Sequence, residues 1–165
     1  MLYCRMKNEL SVESGVRPSS DSGATGVGGD VRQGLAELRE ALLRLHKALI
    51  ESERAGYEKI FGRIGSPFQF LQLLTNDPWF AWLRPVSQLV ATMDEMLDGK
   101  KAFTLTGADA LAARVKTLLV AVAGSDGFSG HYDEALQRDP DVVFAHAEVA
   151  RLMRGQTGGM RSLQS

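Results

Sequence analysis

Leu35, Leu38, Leu42, Leu45 and Leu49 recur at alternating spacings of three and four residues, and Leu43, Ile50, Tyr57 and Phe61 form a second stripe beside them. Only an α-helix brings positions so spaced onto one side, because its 3.6-residue turn stacks i, i+3, i+4 and i+7 above one another. The spacing predicts one helix of about thirty residues, from near Asp30 to near Gly62. Its apolar surface is broader than the narrow seam of a two-stranded coiled coil, so the helix is expected to bury itself against at least two neighbours.

Three further helix starts are written as a capping residue followed by proline: Ser66-Pro67, Asp77-Pro78 and Asp139-Pro140. The side-chain oxygen accepts a free first-turn N–H, and proline stands where no N–H is needed. Thr106 with Asp109 resembles a capping box and is expected to open a helix carrying Leu111, Val115, Leu118 and Val122, with Gly124 ending it. Pro85 falls about two turns into the segment that Pro78 starts, which predicts a kink or break at Arg84. Beyond it Val86, Leu89, Val90, Met93, Met96 and Leu97 make another buried stripe ended by Gly99. Phe103 to Thr106 alone is strand-like, and no partner strand exists for it. The fold class is therefore all-α: a helical bundle of four main helices with one or two short ones.

Outside this pattern the composition changes. Residues 1–30 are rich in Gly and Ser and lack a hydrophobic period, so they are read as a disordered leader before a helical domain at 31–154. Residues 155–165 have the same character and are read as a flexible tail. The Gly23 to Asp30 run has neither a preceding strand nor a closing Gly-Lys-Ser/Thr, so it is not read as a phosphate loop.

With 19 Lys and Arg against 20 Asp and Glu in 165 residues, the chain has no net field to gather nucleic acid or an anionic membrane. The long helix interleaves Arg39, Arg44, Lys47 and Arg54 with Glu37, Glu40, Glu51 and Glu53, which is a solvated face. The one cysteine, Cys4, offers no disulfide framework or thiolate metal cluster, and a reducing, cytoplasmic setting fits. Leu118 to Ala123, the longest aliphatic run, is far short of the roughly 20 residues that span a bilayer. Arg5 and Lys7 have no apolar block behind them, so no signal peptide is expected.

Metal chemistry in a bundle is built from His and carboxylates on facing helices. His46 and His146 both lie on apolar stripes, and with Glu53 and Asp94 they form the candidate ligand set. The spacing opposes a strong site. The residues three before the histidines are Leu43, Phe128 and Val143, those four after are Ile50, Ala135 and Ala150, and no His-Glu-x-x-His motif exists. His131 near Ser129 and Asp133 lacks the elbow that exposes a nucleophilic serine, and Ser129 is read as a helix cap.

Seven of the twelve aromatic residues fall between Tyr57 and Trp82. Rings gathered at a kinked corner can plug a core, line a pocket or anchor a partner. Trp79, Trp82 and Arg84 are the candidate partner-contact residues, because Trp and Arg dominate interface hot spots. Arg84 is expected to stack on a tryptophan or pair with Glu53.

The Leu73 to Asp98 segment, LLTNDPWFAWLRPVSQLVATMDEMLD, resembles one found in small bacterial helical-bundle proteins that carry no assigned activity. The Leu45 to Glu53 stretch of the leading helix and the closing Leu136 to Val143 run are similar to that group, so the likeness spans most of residues 35–154. The resemblance implies a bacterial source and a bundle, and it transfers no catalytic residue.

No motif assembles a catalytic centre or calls for a cofactor. The expected role is non-enzymatic association, with another protein or as a homodimer, and without nucleic acid or membrane. The alternative is a metal- or small-ligand-binding bundle using inward-facing His and carboxylates.

Overall fold

The computed structural model describes residues 22–120 and 124–159. Among them are six α-helices, one 3₁₀ turn and no strand. In chain order these are α1 (Ser22–Phe61), α2 (Pro67–Asn76), the 3₁₀ turn (Pro78–Leu83), α3 (Arg84–Leu97), α4 (Leu105–Leu118), α5 (Phe128–Arg138) and α6 (Pro140–Gly159). The all-α expectation holds, with α1, α3, α4 and α6 as the four main helices of a bundle.

α1 is the spine. At 40 residues it is about 60 Å long at 1.5 Å per residue, so every other main helix can lie against it. Leu38, Leu42, Leu45 and Leu49 expose no surface. They meet Val86, Leu89 and Met93 of α3, Leu111 and Val115 of α4, and Val142 and Val149 of α6 in a single core.

Side-chain pairs between helices fix their directions. Arg39 binds Asp94 while His46 meets Ser87, so α3 runs antiparallel to α1. Arg44 binds Glu148 within α6, while Arg138, two residues before α6 begins, reaches Ser52, so α6 also runs antiparallel to α1. Phe103, just ahead of α4, lies under the Arg32 guanidinium. Val120, just past α4, accepts a hydrogen bond from Ser129 beside the Phe128 that packs on Trp82. α4 therefore rises parallel to α1, and the four main helices run up, down, up, down.

The helix starts follow local chemistry. Ser66 Oγ accepts from Gln69 N at 3.1 Å, and Gln69 Oε1 accepts from Gly65 N at 2.9 Å. Asp77 Oδ1 accepts from Trp79 N at 2.9 Å, and Asp139 Oδ1 accepts from Asp141 N at 3.0 Å. The break at Arg84 is where Pro85 predicts it. The chain resolves the conflict by winding Pro78–Leu83 as a 3₁₀ turn, which places Pro85 in the first turn of α3 where its missing N–H costs nothing.

Several boundaries differ from expectation. α1 begins at Ser22 rather than near Asp30, so the Gly23 to Asp30 run is helical: once a helix is nucleated, each added residue gains a hydrogen bond without a new nucleation cost. The expected leader thus ends inside α1, and its residues 1–21 lie outside the described residues, Cys4 among them. α6 likewise continues through Gly159, and positions 160–165 of the expected tail lie outside. The cap of α4 is Thr104, whose hydroxyl accepts from Gly107 N at 3.0 Å, rather than Thr106 with Asp109. The strand-like Phe103 to Thr106 piece is consumed as this cap and first turn. α4 ends at Leu118, and Val122 lies outside the described residues.

α5 starts against the loop before it. A Cβ at Gly130 would stand 1.8 Å from the Ser125 carbonyl oxygen, so only glycine lets the helix approach that backbone. Gly130→Ala is expected to cost about 1–3 kcal/mol as an overpacked position, read as a lower urea midpoint at unchanged slope. Gly155→Ala, where a Cβ meets open space within a helix, is expected to be neutral or stabilising by up to ~1 kcal/mol.

Candidate functional site

The four candidate metal ligands are placed on four different partners. His46 Nε2 lies 3.3 Å from Ser87 Oγ, Glu53 Oε1 accepts from Arg138 Nη2 at 2.6 Å, Asp94 Oδ1 accepts from Arg39 Nε at 2.6 Å, and His146 Nδ1 lies 2.6 Å from the Tyr132 hydroxyl. No group of three or more His, Cys, Asp or Glu among the described residues is arranged to hold a metal. Each carboxylate instead neutralises an arginine from another element. The Glu53 pairing corrects the expectation that Arg84 would serve it: Arg138 stands within reach from the end of α5, while Arg84 is turned to the Thr75 carbonyl at 3.0 Å.

Burial holds both inward histidines below the ordinary imidazole pKa, so the neutral ring is favoured. The hydrogen-bond partners then select the tautomer. Ser87 has one hydroxyl hydrogen, given to Leu83 O, so it accepts from His46 Nε2–H. Tyr132 is fully buried, and desolvation pushes its phenol far above its usual range, so it stays protonated and donates to His146 Nδ1. The N–H of His146 is left on Nε2.

Ser129, His131 and Asp133 do not converge. Ser129 lies inside the first turn of α5, not at its cap, which is Gly127, and its hydroxyl donates to Val120 O at 2.6 Å. His131 stacks on Trp82 with ring centroids 5.3 Å apart, and Asp133 accepts from Gln137 at 2.7 Å.

The two tryptophans face different neighbours and do not form one surface. Trp79 sets its ring edge-on to Tyr57 and Phe61, at 6.0 and 5.9 Å, closing the end of α1. Trp82 packs on Phe128 and His131, joining the corner to α5. Both are half-buried, and both indole N–H groups are buried without a hydrogen-bond partner. A buried orphan donor costs about 1–3 kcal/mol, so ring packing must outweigh it. Arg84 is exposed.

Sequence reasoning missed two surfaces. The first is α2, whose ten residues PFQFLQLLTN include no ionisable side chain and no fully buried one. Phe70 turns inward against Phe80, with the Arg54 guanidinium over its ring, and Leu73 and Leu74 are half-buried. The other side is open: Phe68 and Leu71 are 70% and 60% exposed, and Ile60 and Phe61 at the end of α1 are 65% and 63% exposed. The absence of charge over ten residues was the available signal.

The second is the seam between α4 and α6. Both pack on α1, yet they make few close approaches to each other, and a groove of about 480 Å³ opens between them. His146 lines it together with Lys116 and small residues of both helices. No described helix is long and apolar enough to cross a membrane.

The chain is an up-down four-helix bundle with short helices at its corners. No family model, curated protein or solved structure matches it.

Two outcomes follow from the buried polar groups. Arg138→Met leaves the buried Glu53 carboxylate without its cation. A fully buried pair broken this way costs about 3–5 kcal/mol, and the partial exposure of Arg138 brings the expected loss to about 1–2 kcal/mol. Adding Glu53→Gln is expected to recover part of it in denaturant titrations. For the histidines, a depressed folded-state pKa means that the unfolded chain takes up protons first. Their contribution is complete above the unfolded value near 6.5 and declines as pH falls through it toward the folded values. Melting between pH 7.5 and 5.5 is expected to fall more steeply in the wild type than in the His46→Gln, His146→Gln double variant.

Proposed function

We propose that this protein is a non-enzymatic association module that pairs with a second copy of itself through the open side of α2 and the end of α1. The observation that carries this reading is the uncharged helix whose Phe68 and Leu71 stand in solvent while its other side is docked on the bundle. Four of the nine large apolar side chains exposed among the described residues lie between Ile60 and Leu71, and such clustering marks contact surfaces rather than scattered surface residues.

A second copy is the favoured occupant because a two-fold interface sets a patch against itself. A charged patch would meet its own charge, whereas Pro67–Asn76 has none to repel. Phe68 and Leu71, three apart, project from one side of the helix as paired knobs for an antiparallel copy. Trp79 supports this face from behind. Trp79 backs Phe61, and Trp82 fastens the corner to α5. A cytoplasmic setting fits a chain with a single cysteine.

Light scattering coupled to size exclusion tests this. The wild type is expected to elute at twice the chain mass at micromolar concentration. Phe68→Glu and Leu71→Glu should each give a monomer with unchanged helicity and stability within about 0.5 kcal/mol, as substitutions at exposed positions. A monomeric wild type at the highest soluble concentration, or a dimer indifferent to both substitutions, overturns the proposal.

A further inference from the structure

The bundle closes α1 against each of its main partners, while among the described residues the α4–α6 seam opens as a wider groove than the one between α3 and α4. α4 and α6 run antiparallel, so Asp109 and Arg154 mark one end of their groove and Lys116, Leu119 and His146 the other. The floor between is set by Ala112 and Ala113 of α4 and by Val149 and Ala150 of α6. The volume of about 480 Å³ falls within the range of small-molecule sites, about 300–1,000 Å³.

The two ends differ in charge. At the Asp109 end a carboxylate stands with a guanidinium, whereas the Lys116 end has an ammonium group and an imidazole and no lining carboxylate. His146 is also oriented. Tyr132 occupies its Nδ1, so the ring offers Nε2–H as a donor on a helix packed rigidly to α1 and α5. A donor and a cation at one end of an apolar trough complement an anionic head on an unbranched apolar body.

We propose that the α4–α6 seam binds a free amphiphilic carboxylate of the fatty-acid class, with its head at Lys116 and His146 and its chain along Ala112, Ala113, Val149 and Ala150. This site is separate from the α2 face, and it stands whether or not the chain pairs.

The test is isothermal titration of the full chain with sodium dodecanoate below its micellar concentration, beside dodecyltrimethylammonium as a cationic chain of equal length. Dodecanoate is expected to saturate at one per chain, to shift the His146 imidazole ¹⁵N resonances, and to leave those of the exposed His131 in place. Lys116→Glu, at an exposed position, should weaken it about tenfold, and Ala150→Phe, which fills the trough, should abolish it in a protein that circular dichroism shows to be folded. No saturable uptake by the wild type, equal uptake of the cationic chain, or uptake undiminished by Lys116→Glu overturns the proposal. So does an Ala150→Phe variant that changes the molar mass in light scattering while dodecanoate uptake persists, because the seam would then be a protein contact.

Discussion

The burial of one face of α1 is the interaction on which the rest of the structure depends. Its leucines Leu38, Leu42, Leu45 and Leu49 have no surface left, and every other main helix reaches the core through them. At roughly 25 cal/mol per Å² of apolar surface, a leucine so buried stabilises the fold by about 1.5–3 kcal/mol. The polar links are secondary in energy but decide geometry. Arg39 to Asp94 and Arg44 to Glu148 set the register of α3 and α6 against a spine that hydrophobic packing alone would let slide. Both are partly exposed, so their contribution is to specificity more than to stability.

A single spine shared by three helices also explains why the α4–α6 seam stays open. Each partner gains most by covering α1, and less draws α4 to α6, where Ala112, Ala113 and Ala150 stand among the facing residues. α5 holds the spacing. It wedges Phe128 and Tyr132 beside Trp82 and His146, and only Asp139 separates it from α6, so the position of α6 follows from where α5 docks.

What was legible in the sequence was what is decided within a few residues. Ser66, Asp77 and Asp139 cap the helices their prolines begin, because a cap is a bond across two or three residues. Pro85 marked the break for the same reason. Thr104 rather than Thr106 takes the α4 cap because the choice depends on where the chain leaves Arg32 and Gly99, which is tertiary. Periodicity identified the stripes on α1 but could not say which stripe is covered, so the open side of α2 went unread. The partners of His46, Glu53, Asp94 and His146 all come from other elements, at separations of 14 to 85 residues, and no local spacing encodes them.

The tryptophan corner thereby acquires a role distinct from contact. Trp82 stacks on His131 and packs tilted on Phe128, Phe128 stacks on Tyr132, and Tyr132 holds His146, forming one continuous line of rings from the 3₁₀ turn to the mouth of the α4–α6 seam. Aromatic pairs contribute about 0.5–1.5 kcal/mol each beyond the area they bury, enough for the line to offset the unpartnered indole N–H of Trp82. The tyrosine that orients the His146 imidazole is thus packed, through Phe128, against the corner. The 3₁₀ turn at Pro78–Leu83, which ends where Pro85 begins α3, carries the Trp82 that meets α5, so the corner and the mouth of the groove belong to one packed unit.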